Sequence, residues 1–174
     1  MTADEYLYDT DERNRPMELE FGLLREPPSP FYSHQSLVLG IAQLLTFAGE
    51  GLGHVAVAPL DVVLDREQAL IVQPDVLFIS NERASIIRDQ IWGAPDLVVE
   101  VLSPGTEERD RTQKRGWYRQ YGVREYWMVD PVQHQVTILD FTGALPAERL
   151  VRGGLAARSS VLPDLVVKSF EIFR

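Results

Sequence analysis

Two acidic residues occur where the surrounding sequence is otherwise apolar. Asp75 follows Pro74 at the start of the run VLFI, and Glu100 interrupts the run DLVVEVL. An ionised carboxylate that is buried without a partner is strongly disfavoured, so each acid needs a compensating group. Two carboxylates directed at one point also repel each other unless a cation lies between them or one carries a proton. The pair therefore predicts a metal site with Asp75 and Glu100 as ligands.

Each acid also has an ordinary structural explanation. An Asp that follows a Pro is commonly a turn residue, and a Glu within a strand is commonly paired with a nearby Arg. Because both acids belong to apolar strands that should be neighbours in one sheet, their combination favours a functional site over two unrelated explanations.

Lys114 is the third candidate, and its position along the chain is informative. From Glu100 to Ser103 a strand covers about 10 Å, at roughly 3.3 Å per residue. A helix packed back over the sheet regains about 10 Å between Glu107 and Lys114, at roughly 1.5 Å per residue. The lysine is thus predicted to reach the level of Glu100. A surface pair between Asp110 and Lys114, four residues apart on the helix, is the alternative.

The amino-terminal part of the chain predicts two helices. Thr2 can begin a short helix with acidic residues in its first turn, and Pro16 closes the polar turn that follows. Ser33 can cap a longer helix from His34 to about Gly49, in which apolar residues recur at spacings of three and four.

Apolar and alternating runs predict the strands of the fold. Nearly continuous apolar runs indicate strands covered on both faces, so helices should flank the sheet. We expect an α/β fold with a mixed central β-sheet flanked by helices, and a tail from Leu162 to Phe173 that docks. The predicted strands are a hairpin in MELEFGLLRE, then HVAVAPLDVVLD, ALIVQPDVLFIS, APDLVVEVLS, REYWMVD and QVTILDF.

The helix that carries Lys114 is predicted from Thr106 to Tyr121. Thr106 is available as its cap, and Gly122 ends it. On this helix Lys114 shares a face with Tyr118 and Tyr121, so the lysine lies on the side that also bears aromatic core residues.

Length and composition are those of one globular domain: 174 residues, 45% hydrophobic and 25% charged. We interpret residues 1–32 as the amino-terminal helix and hairpin, 33–130 as the core with the metal site, and 131–174 as closing strands and tail. Apolar runs of about 18 residues are missing, and the polar amino terminus does not resemble a secretory signal. A soluble, cytoplasmic protein is expected.

The chain contains no cysteine. A bound metal must therefore be held by carboxylate, imidazole, carbonyl or water ligands. Such ligands favour a hard cation, Mg²⁺ or Mn²⁺.

The net charge of −9 argues against strong non-specific binding of nucleic acid, which normally depends on clustered Lys and Arg. A local basic stretch offsets this argument in part, although its residues could equally be ordinary surface charge on a helix. The stretch comprises Arg109, Arg111, Lys114, Arg115, Arg119 and Arg124.

A resemblance to a known family is carried by VQPDVLFIS, GAPDLVVEVLSPGT, RDRTQKRGWYRQYGVREYWMVDP and the upstream MELEFG. Together these stretches resemble the bacterial Uma family of restriction endonucleases, which belongs to the PD-(D/E)XK nuclease superfamily. The resemblance covers nearly the whole chain. It implies a restriction endonuclease-like fold, one or two divalent cations held by acidic residues, and a lysine that assists hydrolysis of phosphodiester bonds in DNA.

Residue by residue, Pro74 and Asp75 match the PD of the motif, and Glu100 matches its second acid. Leu102 stands at the usual lysine position, which departs from the superfamily pattern. A residue other than lysine at this position resembles the Uma family, in which the basic residue lies on the following helix instead. In this chain that residue is Lys114.

Other positions add to the expected site. Glu18 matches the glutamate before the first hairpin glycine of the family, here Gly22, and is a tentative catalytic residue. The acid that usually precedes this glycine is replaced by Phe21. His34 matches a family histidine, for which a structural role at the helix start and a catalytic role are both open. The backbone carbonyl of Val101 is a possible third metal ligand.

Three functions follow as hypotheses. The first is a metal-dependent DNA endonuclease that uses Asp75, Glu100 and Lys114, and for which a homodimer is expected because cutting both strands of a duplex is most simply done with two copies. A catalytically weak or inactive module that binds nucleic acid or protein is the second, and the net charge favours it. The third is hydrolysis of a smaller phosphodiester.

Overall fold

A computed structural model describes residues 1–8 and 16–173, so the polar turn predicted before Pro16 lies outside the described residues. The helices are α1 (Ala3–Tyr8), α2 (Tyr32–Ala48), α3 (Glu107–Arg109), α4 (Arg115–Tyr121) and α5 (Ser169–Ile172), with a 3-10 helix at Asn81–Ile86 and a π-helical segment at Asp110–Lys114. The strands are β1 (Glu18–Glu20), β2 (Leu23–Arg25), β3 (Gly53–Val57), β4 (Val62–Asp65), β5 (Leu70–Val72), β6 (Val76–Ser80), β7 (Ile91–Trp92), β8 (Leu97–Val101), β9 (Glu125–Asp130), β10 (Gln135–Asp140), β11 (Ala147–Arg152), β12 (Ala156–Arg158) and β13 (Val166–Lys168).

The central sheet has the strand order β11-β10-β9-β8-β6-β3. Strands β8 and β9 are parallel, whereas the other neighbours are antiparallel. Helix α2 packs on one face of this sheet and α4 on the other. The predicted α/β fold, a mixed central sheet flanked by helices, is confirmed.

Strand β8 alternates between the two faces of the sheet, as the geometry of a strand requires. Residues facing α2 are Leu97, Val99 and Val101. On the opposite face Val98 and Leu102 pack with Tyr118 of α4 and with Tyr126 of β9. Glu100 lies on this second face, within an apolar cluster, and this position is the source of its unusual electrostatics.

A second sheet, with the order β2-β1-β5-β4-β7, brings the amino-terminal hairpin to the same region. Strand β1 pairs antiparallel with β5, and Leu19 lies opposite Ile71. This register places Glu18 beside Gln73, two residues before Asp75 in the sequence. The amino-terminal hairpin and the PD segment are therefore neighbours in space.

The start of α1 and the tip of the hairpin follow from local sequence. Thr2 and Glu5 cap each other: Thr2 Oγ1 accepts the Glu5 N–H at 3.1 Å, and Glu5 Oε2 accepts the Thr2 N–H at 2.6 Å. Between β1 and β2, Phe21 and Gly22 both have positive φ, 50° and 86°. A Cβ on Gly22 would lie 3.1 Å from the Met1 carbonyl oxygen, so glycine suits this turn.

Two predictions of single strands are wrong. HVAVAPLDVVLD forms β3 and β4, and ALIVQPDVLFIS forms β5 and β6. Pro59 and Pro74 mark the breaks, because proline has no N–H to donate to a sheet ladder. In each case the two halves join different sheets, so Asp75 lies where the chain passes from the second sheet to the central one.

The predicted helix caps are also corrected. Phe31 already has the extended backbone of a cap residue (φ −75°, ψ 160°), so α2 begins at Tyr32 and Ser33 lies inside the helix. Thr106 does precede α3, but its hydroxyl makes no cap hydrogen bond and lies 3.0 Å from Ser103 Oγ. Gly122 ends α4 with φ 95°, as predicted.

The carboxyl-terminal tail docks as predicted, since Leu162, Leu165, Val167 and Ile172 are buried in the α2-side core. Among residues 1–8 and 16–173, each helix is too short or too polar to serve as a membrane span. The division of the chain into one domain with three parts stays a prediction.

Candidate active site

Lys114 lies at the centre of a buried polar cluster on the α4 face of the central sheet. Its Nζ is 2.7 Å from Glu100 Oε1, 3.1 Å from Glu18 Oε1 and 3.7 Å from Asp110 Oδ1. The side chain is 5% exposed. Burial opposes its charge, but the three carboxylates outweigh burial and raise the pKa of Lys114. The predicted approach of Lys114 to Glu100 is confirmed, and the surface pair with Asp110 is not what the structure shows.

Glu100 is held by two donors at one oxygen. Its Oε1 accepts hydrogen bonds from Lys114 Nζ at 2.7 Å and from the Tyr118 hydroxyl at 2.6 Å. In the described part of the chain, Oε2 has no hydrogen-bond partner. Burial, reinforced by the charges of Asp110 and Asp75, raises the pKa of Glu100 to about 8 although Lys114 opposes the rise. The carboxyl group is thus under-compensated and has one oxygen free to bind another cation.

Glu18 joins the cluster from the amino-terminal hairpin. Its Oε1 accepts the Gln73 N–H at 2.8 Å, and its Oε2 accepts Arg109 Nη2 at 2.5 Å. Burial alone would raise the pKa of Glu18, but Lys114 and Arg109 together lower it to about 2. Glu18 is therefore an ionised partner that fixes both basic side chains.

The low pKa of Glu18 predicts a pH-dependent contribution to stability. Relative to an ordinary value of 4.5, a folded-state pKa of about 2 means that ionised Glu18 contributes roughly 3 kcal/mol to the free energy of unfolding at neutral pH. Because the folded-state pKa is depressed, this margin is complete above pH about 4.5 and is lost as the pH falls toward about 2. We expect Glu18→Gln to destabilise the protein at pH 7 by an amount that shrinks over this range.

Urea unfolding of wild type and Glu18→Gln in EDTA, at pH values from 7 to 3, measures this margin. Glu67→Gln, at an exposed position, is the matched control and should change the free energy of unfolding by less than about 0.5 kcal/mol. A difference between wild type and Glu18→Gln that does not change with pH contradicts the expectation.

Asp75 lies beside Glu100 and is connected to it through the backbone. Its Oδ2 accepts the Val101 N–H at 2.7 Å and lies 3.3 Å from His34 Nε2. The same His34 nitrogen is 3.1 Å from the Val101 carbonyl oxygen. The hydrogen bond between His34 and Asp75 raises the pKa of His34, although burial opposes this rise. Among residues 1–8 and 16–173, no hydrogen bond or ion pair joins Asp75 directly to Glu100 or Lys114.

Asp110 completes the cluster from the π-helical segment. It is buried, and its Oδ1 has no hydrogen-bond partner among the described residues. Burial raises its pKa, although Lys114 and Thr106 oppose this. Single π turns inside helices are frequent at functional sites, and this one directs both Asp110 and Lys114 into the protein.

The chemistry of this donor set fits a hard cation. Lys114 Nζ lies within 3.7 Å of three carboxyl groups, and a fourth lies close by against the Val101 N–H, so carboxyl groups outnumber the ammonium at the centre of the cluster. The carboxyl groups are those of Glu18, Asp75, Glu100 and Asp110. Among the described residues, Glu100 and Asp110 each keep one oxygen without a hydrogen bond, and carboxylate oxygens are the ligands that Mg²⁺ and Mn²⁺ prefer.

Ligand geometry stays a prediction. Among the described residues, no group of three or more His, Asp or Glu side chains is already arranged to hold a metal ion. The predicted ligands comprise two side chains, Asp75 and Glu100, and one carbonyl, of Val101.

Sequence reasoning placed some of this cluster and missed the rest. Glu18 was predicted as a further candidate from the family resemblance alone, and it contacts Lys114 directly. Arg109 appeared only as part of a basic stretch, yet it pairs with Glu18 and Glu20 inside the protein. Tyr118 was predicted to share a face with Lys114, which was a usable signal for its contact with Glu100.

Most residues of the basic stretch from Arg109 to Arg124 are paired with carboxylates. All of its residues except Arg119 form ion pairs with carboxylates in the described part of the chain. Arg111, for example, pairs with Glu107 at 2.8 Å and with Asp130 at 2.9 Å. Few of these basic side chains are therefore available to bind a phosphate backbone, and the stretch weakens the argument from the net charge of −9 less than its composition suggests.

The fold is restriction endonuclease-like. The structure is similar to a solved one described as "a putative nuclease belonging to DUF820 from Anabaena variabilis ATCC 29413". The TM-score is 0.82 at 17% identity, over 99% of this chain and 97% of that chain. At this identity, the similarity demonstrates a shared fold.

The chain belongs to the Uma2 family, whose sequence model is described as "Putative restriction endonuclease" and matches residues 3–168. The family resemblance predicted from the sequence is confirmed. No curated protein matches the sequence significantly. Family membership supports a nuclease, and so a hydrolase with a nucleic acid substrate; restriction endonuclease-like families generally use a divalent metal.

Proposed function

We propose that this protein is a metal-dependent endonuclease that hydrolyses phosphodiester bonds of DNA with Mg²⁺ or Mn²⁺, and that it acts as a homodimer. The observation that carries the proposal is the buried contact of Lys114 with Glu100 beside Asp75. A buried lysine that contacts several carboxyl groups matches the acids and lysine of the family, in which the lysine lies on the helix after the strand.

Each residue has a proposed task. Asp75 and Glu100 hold the cation, with the Val101 carbonyl as a further ligand. When bound, such a cation polarises the scissile phosphate and lowers the pKa of a water molecule bound to it. Lys114 orients the attacking water or neutralises charge that develops on the phosphate.

Neighbouring residues position these groups. Glu18 and Arg109 fix the ammonium of Lys114 from the hairpin side, and Tyr118 fixes Glu100 Oε1. His34 contacts both Asp75 Oδ2 and the Val101 carbonyl oxygen. Because His34 contacts both of these proposed ligands, we infer that it holds them in position relative to each other.

Cleavage of supercoiled plasmid and of single-stranded DNA tests the proposal. We expect conversion to nicked and linear forms with Mg²⁺ or Mn²⁺ and none in EDTA. Calorimetric titration with each metal, in the absence of DNA, should show binding. Absence of cleavage of either DNA by protein that binds these metals contradicts the proposed activity.

A second candidate is supported by the charge distribution. The net charge of −9 and the ion-paired arginines favour a catalytically weak or inactive module that binds nucleic acid or protein. Such a module has no need of a metal site. Absence of both metal binding and cleavage therefore favours this candidate, and cleavage of small phosphodiesters but not of DNA favours a smaller substrate.

A further inference from the structure

The outward surface of α2 is uncharged and carries three exposed large apolar side chains among glycine and neutral polar residues. Helix α2 contains no Asp, Glu, Lys or Arg, in a chain of which 25% is charged. Tyr32 is 88% exposed, Leu39 60% and Phe47 82%. We call this surface the α2 outer face and define it as Tyr32, Ser36, Leu39, Gly40, Gln43 and Phe47. Exposed apolar patches of this kind commonly mark interaction sites.

Gly40 lies at the middle of the α2 outer face. A glycine inside a helix costs about 1 kcal/mol relative to alanine. A Cβ added to Gly40 would meet no atom within 4 Å, so nothing within the described protein requires glycine here. A surface glycine does allow the backbone of another helix to approach closely.

On the α2 outer face, residues at equal distances from a point between Leu39 and Gly40 complement each other. Nearest this point, the side chain of Leu39 corresponds to Gly40, which has no side chain. Further out, Ser36 mirrors Gln43, a hydroxyl opposite an amide. At the two ends, Tyr32 mirrors Phe47, one aromatic ring opposite another. Across a two-fold axis residue i contacts residue j and residue j contacts residue i, so in this register each of these complementary pairings is made twice.

We propose that the α2 outer face binds the same face of a second copy of this chain, with the two helices antiparallel and the two-fold axis between Leu39 and Gly40. Leu39 packs over the partner's Gly40. The Ser36 hydroxyl lies within reach of the amide of the partner's Gln43, and Tyr32 contacts the partner's Phe47.

Charge at this face permits a second copy and disfavours nucleic acid. Each chain carries a net charge of −9, so two copies repel each other across most surfaces. The α2 outer face carries no charge and permits their approach. It also offers no cation to a phosphate backbone, which argues against nucleic acid as the occupant.

A surface hollow supports the aromatic contact. The hollow lies at the carboxyl-terminal end of α2, and its lining includes Gln43, Thr46, Phe47, His54 and Val55. In the antiparallel arrangement the partner's Tyr32 lies over this end of the helix. The hollow then receives a side chain that is otherwise almost fully exposed.

The inference names the surface for the homodimer of the proposed function, and it rests on that assembly rather than on cleavage. Helix α2 also carries His34 on its inward side, in contact with Asp75. The two candidate sites of the dimer are therefore each attached to the interface helix.

Cysteine cross-linking tests the antiparallel register, because the native chain has no cysteine. Two copies of Ser36→Cys place their cysteines about 10 Å apart along the helix, at about 1.5 Å per residue, which exceeds the Cα separation of about 7 Å that a disulfide can bridge. Ser36→Cys mixed with Gln43→Cys places the two cysteines opposite each other. We expect disulfide-linked dimer from the mixture and little from either variant alone.

Sedimentation velocity in metal-free, DNA-free buffer measures assembly independently of nuclease activity. We expect twice the monomer mass of 19.7 kDa for wild type, and monomer for Leu39→Glu, which places two like charges at the axis. Val132→Glu, at an exposed position away from α2, should stay dimeric. A monomeric wild type at about 100 μM, or cross-linking of Ser36→Cys alone as complete as that of the mixture, overturns the proposal.

Discussion

Asp75→Asn is expected to lower metal-dependent DNA cleavage by about 10³-fold while the protein stays folded. Loss of one metal ligand removes several kcal/mol of transition-state stabilisation, and each 1.4 kcal/mol is about tenfold in rate. Asparagine keeps an oxygen that can accept the Val101 N–H, which is 2.7 Å from Asp75 Oδ2. Asp75→Ala and Glu100→Ala are expected to abolish cleavage as well, with stability unchanged or higher because each removes one carboxyl group from a region in which carboxyl groups outnumber the lysine.

The measurement is the rate of plasmid nicking at saturating Mg²⁺ or Mn²⁺, beside a urea unfolding curve for each variant. Asp89→Asn, an exposed acid outside the cluster, is the matched control and should leave both quantities unchanged. Wild-type cleavage by Asp75→Asn and by Glu100→Ala would remove both acids from the mechanism. A loss of cleavage that accompanies unfolding would show a structural role instead.

Lys114→Met is expected to cost about 3–5 kcal/mol of unfolding free energy in EDTA, and to lower cleavage by at least about 10²-fold. The lysine is buried among Glu18, Glu100 and Asp110, and methionine leaves these carboxyl groups without their shared cation. Part of the lost stability should return at lower pH, where the buried carboxyl groups become protonated.

The chain offers a close control, because Lys114 is one of its two lysines. Lys168→Met should change the unfolding free energy by less than about 0.5 kcal/mol, since Lys168 is 43% exposed and its ion pair is with the nearby Glu171. Combining Lys114→Met with Glu100→Gln should recover stability relative to Lys114→Met alone, because one unpaired carboxylate is removed. No recovery in the double variant contradicts an electrostatic origin.

Several features of the candidate site could be predicted from local sequence. The rises of strand and helix brought Lys114 back to the level of Glu100. The family motif supplied Asp75 and the further candidate Glu18. These inferences succeeded because they depend on distances within one continuous strand–helix unit or on residues that a motif fixes.

Other features required contacts between distant segments. Pro74 was visible in the sequence, but nothing local showed that the chain passes from one sheet to another at this residue. In the sequence Arg109 is one member of a basic stretch with no partner assigned, whereas in the structure it is buried against Glu18 from the amino-terminal hairpin. Such a contact joins residues 91 positions apart, and no periodicity or propensity encodes it.

The sequence by itself determined the mixed α/β fold, the alternation of β8 and the types of residue available for metal chemistry, because hydrophobic periodicity and the lack of cysteine are properties of the chain. Tertiary structure decided which charges compensate each other. The pKa of Glu18 is lowered and that of Glu100 is raised although both are buried glutamates, since Arg109 and a backbone N–H reach only the first. Electrostatic energy depends on separations of a few ångströms in a region of low dielectric constant, and only the folded arrangement sets those separations.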